Sequence, residues 1–301
     1  MPARSAGDAG VIRGVRQCRG AERGVSVEKE KSLAVGVFDS GVGGLSVLRE
    51  LQAQLPNQDV IYFADQAHVP YGPRPLDEVR DFSEEITRFL MEQGARLIVV
   101  ACNTASAAAL HFLRQRFAGV PFVGMEPAVK PAAEQTRSGV VGVLATPATF
   151  QGELYASVVE RFAQGVRVLQ DTCPGLVGEI EAGNLNGEKT RQILERALRP
   201  MSEQGADTIV LGCTHYPFVI PLIEMITGPA VRVINPAPAV ARQVGRLLAE
   251  RGWLNAAQGG TRYFTSGEAS LLAGQVRGML GQPGAVDARQ AVWAGKHLRV
   301  D

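Results

Sequence analysis

"LIVVACNTAS", residues 97–106, and "TIVLGCTHYP", residues 208–217, decide how this chain folds. Each opens on an aliphatic run of strand length, then passes through a small residue to a cysteine, with a threonine within two positions. A second echo precedes each of them: "VGVFDS" (35–40) is answered by "VGVLAT" (141–146). Cys102 follows Asp39 at nearly the interval at which Cys213 follows Ala145, the position aligned with Asp39. Two echoes in one order and at similar separation imply two related halves. Buried parallel strands all read alike, so chance similarity stays open at this level.

Outward from these stretches, strand-like runs lie at 34–38, 60–64, 97–101, 122–124, 140–144, 166–169, 208–211 and 231–234. Helical patterns separate them. Val79, Phe82, Ile86, Phe89 and Leu90 fall on one face, as do Val240, Val244, Leu247 and Leu248, whose helix Gly252 stops. The alternation predicts an α/β protein: two pseudo-symmetric domains with mainly parallel sheets flanked by helices, and an active site in the cleft between them. The expected domains are 31–126 with 237–301, and 127–236. Residues 1–30, rich in Gly, Arg and Glu and lacking an apolar core segment, are expected to be a disordered tail and not a secretory signal. In such sheets ligands bind at the carboxyl ends of the strands, so both cysteines fall where chemistry is sought.

Composition narrows the classes. The 301 residues carry a formal net charge of +1, which gives no global field toward nucleic acid or an anionic membrane surface. No apolar run reaches the roughly 20 residues of a spanning helix. Cys18, Cys102, Cys173 and Cys213 are expected as reduced thiols, Cys18 being incidental. Cys173, before Pro174, reads as the start of a helix. His68 and His111 read as ordinary surface or helix residues, and Glu153 and Glu160 as a solvated helix face.

If the repeat is real, Cys102 and Cys213 face each other across a cleft. Inverting a stereocentre needs such a pair: one thiolate takes a proton from one face of carbon, and the other thiol returns one to the opposite face. A thiol's reference pKa of about 8.5 lets it serve either role near neutral pH. Competing readings are a disulfide, a zinc site using Cys102, Cys213 and His215, inert buried thiols, and a nucleophilic Cys213 paired with His215. Paired CxxC or CxxH spacing is missing, and a Cys213–His215 nucleophile leaves Cys102 unexplained.

The glycine-rich loop "FDSGVGG" (38–44) ends a strand and opens a helix as a nucleotide loop does. It lacks the Lys-Ser/Thr ending of a P-loop, and Ser46 stands where the dinucleotide pattern has its third glycine. Asp39 would meet a phosphate face on. The expected guest is an amino acid, with Asp39 and Ser40 at the rim and the glycines letting the backbone come close.

Four motifs, "FDSGVGG" (38–44), "VPYG" (69–72), "ACNTAS" (101–106) and "LGCTHYP" (211–217), occur in an order and spacing that resemble the glutamate racemases, from about Leu33 to the C-terminus. The resemblance implies a cofactor-independent, metal-free isomerase that makes D-glutamate for the bacterial cell wall. It implies Cys102 and Cys213 as the catalytic thiols. Asp39 with Ser40, Tyr71 with Gly72, Asn103 with Thr104, and Thr214 with His215 match the substrate-contacting pairs. Asp39 and His215 also match residues that assist the neighbouring thiols, and Glu181 an acid that supports one side. The chain departs from the pattern at Gly175, Gly178 and Ala182, and again after Gly72. A cytoplasmic homodimer acting on L-/D-glutamate is implied, with no nucleic-acid or membrane partner. Racemisation of aspartate or another amino acid, a ligand-binding protein without catalysis, and a Cys-His hydrolase are the alternatives.

Overall fold

The computed structural model describes residues 33–300, so the segment expected as a disordered tail, with Cys18, lies outside the described residues. Elements follow in the order β1 (Ala34–Asp39), α1 (Leu45–Gln54), β2 (Val60–Ala64), α2 (Leu76–Glu92), β3 (Ala95–Val100), α3 (Asn103–Arg116), β4 (Phe122–Gly124), α4 (Val129–Gln135). Then come β5 (Val140–Ala145), α5 (Pro147–Gln151), α6 (Glu153–Phe162), β6 (Arg167–Asp171), α7 (Leu176–Glu181), α8 (Glu188–Glu203), β7 (Thr208–Gly212) and a 3₁₀ turn at Tyr216–Val219. The chain ends through α9 (Ile220–Thr227), β8 (Arg232–Ile234), α10 (Ala237–Glu250), β9 (Thr261–Thr265), α11 (Ala269–Leu280), β10 (Ala288–Ala294) and β11 (His297–Val300).

The strands form two sheets. One has seven strands in the order β11-β10-β9-β2-β1-β3-β4, the other four in the order β6-β5-β7-β8. The second order repeats the stretch β2-β1-β3-β4 of the first, so the sequence echo has a topological counterpart. All pairings are parallel except β10 with β11. Helices cover both faces of a parallel sheet, which is why β1, β2 and β3 read as continuous apolar runs and are buried almost throughout. The chain reverses its winding direction between β1 and β3, and again between β5 and β7. Those carboxyl ends are where the connecting loops part and leave a crevice.

Packing joins the two sheets. One buried apolar cluster runs from Val37, Leu45 and Tyr62 to Leu194, Leu211 and Tyr216. The helix face read at 79–90 lies on α2, with Val79, Ile86, Phe89 and Leu90 buried, and Gly252 ends α10 with a positive φ of 66°. β9, β10 and β11 have no counterpart in the sequence reading. Arg262 interrupts β9, and in the C-terminal hairpin at the sheet edge only Ala291 and Leu298 are buried, so neither the apolar run nor the alternation is present to be seen.

Candidate active site

Cys102 stands between β3 and α3 with an extended backbone, as the residue before the helix's first turn. Asn103 opens α3, so the free N–H groups of that turn lie beside the thiol. Burial raises the Cys102 pKa well above its ordinary value, the Asp39 carboxyl beside it adds to this, and the Ala105 backbone N–H opposes it. Asp39, the last residue of β1, is fully buried. Its Oδ2 accepts the Gly44 N–H at 2.6 Å and the Thr214 hydroxyl at 3.3 Å, and its Oδ1 takes the Ser40 hydroxyl at 3.4 Å. Burial raises the Asp39 pKa, while His215 and hydrogen bonds from Cys102 and Ser40 work against it. A buried thiol and a buried carboxyl that both favour the protonated form suit the giving of a proton.

Cys213 follows β7 in the same way, but its surroundings differ. Its Sγ lies 3.7 Å from His215 Nδ1, and His215 Nε2 donates to Glu181 Oε1 at 2.6 Å. Burial by itself lowers the His215 pKa, yet hydrogen bonding to Cys213 and Glu181 outweighs it and leaves the value well above 6.5. Burial raises that of Glu181, and His215, the Val42 N–H and Gln66 together bring it below 4.5. Glu181 is therefore an acceptor-only carboxylate. After His215 the chain makes a 3₁₀ turn, and α9 begins only at Ile220, because Pro221 has no N–H to give the Pro217 carbonyl in a continuous α-helix.

The glycine loop explains itself through these side chains. A Cβ on Gly43 would sit 2.4 Å from His215 Nδ1, and one on Gly41 would sit 1.9 Å from Glu181 Oε1. The glycines admit the protein's own side chains, so the close approach expected for a substrate is made by Glu181 and His215. The Val42 N–H between them donates to Glu181 Oε1 at 2.8 Å.

The two arms share one cavity. Cys102, Asn103 and Thr104 line it from the larger sheet, and Cys213, Thr214 and His215 from the smaller. Ser40, Tyr71 and Gly72 close it, whereas Asp39 and Glu181 stand behind the lining. Its free volume is about 20 Å³, little more than one water needs. Among the described residues, the buried side-chain polar atoms without a hydrogen-bond partner are Nδ2 and Oδ1 of Asn103. A buried amide left so costs roughly 1–3 kcal/mol, and this one lies in the cavity lining.

Thr146 and Val177 also line the cavity and were not expected. Thr146 was legible: it aligns with Ser40 in the "VGVFDS"/"VGVLAT" echo. Its hydroxyl pairs with those of Thr104 and Thr149, both at 2.9 Å. Val177 sits on α7 and carries no such signal. His68, read as an ordinary residue, is half-buried and pairs with the buried Asp65. Its Nδ1 lies 2.9 Å from an oxygen of Asp65, which also accepts from the Tyr71 hydroxyl, from Ser266 Oγ at 2.6 Å and from Trp293 Nε1 at 2.9 Å. His111 is exposed on α3, and Glu153 and Glu160 are exposed on α6. Cys173 lies in the turn before α7, buried, with a positive φ of 43°. Among the described residues no three His, Cys, Asp or Glu side chains are grouped to hold a metal ion, and no helix is long and apolar enough to cross a membrane.

Residues 35–244 match the Asp/Glu/Hydantoin racemase family. A glutamate racemase of Pseudomonas aeruginosa is 54% identical over 237 residues, covering 78% of this chain and 89% of that protein. The solved structure of Escherichia coli glutamate racemase in complex with L-glutamate and the activator UDP-MurNAc-ala matches with a TM-score of 0.76 at 31% identity, over 90% of this chain and 99% of that one. That of Francisella tularensis glutamate racemase in complex with D-glutamate matches with a TM-score of 0.75 at 28% identity, over 88% and 98%. With two cysteines at equivalent strand ends on one cavity and relatives of this likeness along most of its length, the chain belongs to the Asp/Glu/Hydantoin racemase family, among the glutamate racemases.

Proposed function

We propose that the chain interconverts L- and D-glutamate by passing the α-proton between Cys102 and Cys213, without a cofactor. The observation that carries this reading is that the two thiols line the same cavity from equivalent ends of two related strand orders. One thiolate removes the α-proton and the opposite thiol supplies a new one to the other face. Asp39 attends the proton on Cys102, and His215 held by Glu181 attends that on Cys213. The unpartnered Asn103 amide, the hydroxyls of Ser40, Thr104 and Thr214, and backbone N–H groups of Gly72 and the α3 first turn suit the two carboxylates of glutamate. The α-proton is barely acidic beside a carboxylate, so the rate rests on exclusion of water and close placement of the bases. A cavity of this size admits glutamate only after opening, and the division into 31–126 with 237–301 and 127–236 supplies two bodies to open. D-glutamate made in this way suits peptidoglycan synthesis in the cytoplasm, and a homodimer is the proposed assembly.

The test is incubation with L-glutamate in D₂O, following optical rotation and the α-proton together. Rotation decaying to zero with full α-deuteration is the expected result. A steady rotation overturns the reading, and decay with L-aspartate but not L-glutamate reassigns the substrate. The line Cys213–His215–Glu181 also favours a second reading, Cys-dependent acyl transfer, in which the imidazole activates a nucleophile. That reading predicts an activity indifferent to loss of Cys102.

A further inference from the structure

Glu181 is the last residue of a helix of six, and glycines with positive φ flank that helix at Gly175 and Gly183. Its last turn is closed locally, by the Ala182, Gly183 and Asn184 N–H groups on the Gly178, Ile180 and Glu179 carbonyls. The Glu181 side chain reaches outward to His215. The donor that takes the Glu181 carbonyl comes from elsewhere in the chain.

A chain of hydrogen bonds with one fixed direction ends on this residue. The Gly267 N–H donates to Thr265 Oγ1 at 2.9 Å. The Thr265 hydroxyl keeps its own proton to give, and donates it to Gln66 Oε1 at 2.9 Å. Gln66 Nε2 must then face away, and it donates to Gln275 Oε1 at 2.8 Å and weakly to Glu181 Oε2 at 3.5 Å. Gln275 Nε2 in turn donates to the Glu181 backbone carbonyl at 2.8 Å, capping α7. The Glu181 backbone carbonyl, which can only accept, sets the orientation of both glutamine amides: Gln275 must present its Nε2 there, its Oε1 then takes Gln66 Nε2, and Gln66 Oε1 is left to face Thr265. The bonds join the end of β9, the loop after β2 and α11 to a helix that belongs to the other sheet. The described contacts of Cys102 and Asp39 include no such chain of amides; Asp39 takes one bond from the other sheet, the Thr214 hydroxyl at 3.3 Å.

We infer that Gln66 and Gln275 are positioning residues for the Cys213 half of the reaction alone, acting through Glu181 and His215. This inference rests on the racemase reading above. L- and D-glutamate have equal free energies, so any variant must lower kcat/KM equally in both directions, and rates alone cannot reveal which thiol has suffered. Isotope effects can. When the Cys213 step becomes limiting, α-deuterium slows the enantiomer whose proton Cys213 removes. It ceases to slow the other enantiomer, whose deuterium has already moved to Cys102 before the limiting step.

The experiment measures kcat/KM for L- and D-glutamate, protiated and α-deuterated, in the wild-type protein and in Gln275→Leu, Glu181→Gln and Asp39→Asn. Gln275→Leu is expected to lower kcat/KM about fivefold to tenfold, the worth of one well-formed hydrogen bond. The two isotope effects should diverge in the same sense as in Glu181→Gln and the opposite sense to Asp39→Asn. Gln66→Leu breaks the same chain one link earlier and gives an independent measurement if Gln275→Leu does not fold. An unchanged rate, or a lowered rate with the ratio of the two isotope effects unmoved, overturns the inference. A wild-type protein that does not racemise glutamate overturns the underlying reading instead.

Discussion

Cys102 and Cys213 close equivalent strands, β3 and β7, but a carboxyl attends one and an imidazole the other. On the Cys102 side a single buried acid, Asp39, stands behind the thiol, held by the Gly44 N–H of its own loop and, at longer range, by the Thr214 hydroxyl. On the Cys213 side the hydrogen bonds run outward through His215 to Glu181, and from there to residues far along the chain. The repeat of strand order supplies two thiols at matching places, but it does not supply matching partners. Substrates of opposite hand present the same groups in mirror arrangement, and a chain of L-residues cannot build a mirror image. The two sides therefore meet one requirement, a thiol that can hold or release a proton in a nearly dry cavity, with different chemistry. Burial by itself disfavours the charged form by up to 3–5 pKa units; at Cys102 the Asp39 carboxyl adds to this and the Ala105 N–H opposes it.

The comparison breaks most directly at the thiols. Cys102→Ser and Cys213→Ser are each expected to lower kcat/KM for racemisation about 10²- to 10⁴-fold, the range of general acid–base catalysis. Polarimetry with either enantiomer measures it, and a wild-type rate in either variant removes the need for two thiols. Next in size is the substrate contact. Asn103→Leu is expected to raise KM roughly tenfold to hundredfold, since a buried polar contact of about 1–3 kcal/mol disappears. Its melting temperature should hold or rise, because the amide has no partner to lose in the empty cavity. A clear fall in melting temperature would show that the amide is structural.

The smallest effect sharpens the Cys213 side. Glu181 has its pKa lowered, so its stabilisation is present above about pH 4.5 and is lost as pH falls through the lower folded value. His215 has its pKa raised, so its contribution is complete below about pH 6.5 and fades as pH rises through the folded value. The pair contributes most between those limits. Glu181→Gln should cost about 1–3 kcal/mol there by urea unfolding, with the deficit shrinking toward pH 3 and toward pH 9. A deficit independent of pH would mean that packing, and not charge, holds the pair.

β1, β2, β3, β5 and β7 were legible as continuous apolar runs because a parallel sheet covered on both faces buries them almost throughout, and the shorter β4, β6 and β8 still showed two or three apolar residues in a row. β9 to β11 were not, since Arg262 interrupts the apolar run of β9 and only Ala291 and Leu298 are buried in β10 and β11. Both thiols and the Ser40, Asn103, Thr104, Thr214 and His215 cavity lining stood out as polar residues at strand ends. What stayed hidden is long-range. Nothing near Gly43 says that His215 will lie against it, and neither Gln66 nor Gln275 carries a local signal of its tie to Glu181. The meaning of "FDSGVGG" changed accordingly, from a backbone made bare for a ligand to one made bare for the enzyme's own side chains.

Trp293 is one of two tryptophans, and its indole N–H is tied to Asp65, the same carboxylate that holds the hydroxyl of Tyr71 in the cavity wall. The other, Trp253, lies beyond the end of α10 against Arg251. Indole emission responds to the polarity and hydrogen bonding of its surroundings, so the molecule carries a native optical gauge of its own cavity. Titrating an enantiomer against Trp293 fluorescence follows the wall as it meets a guest, separately from any count of product formed.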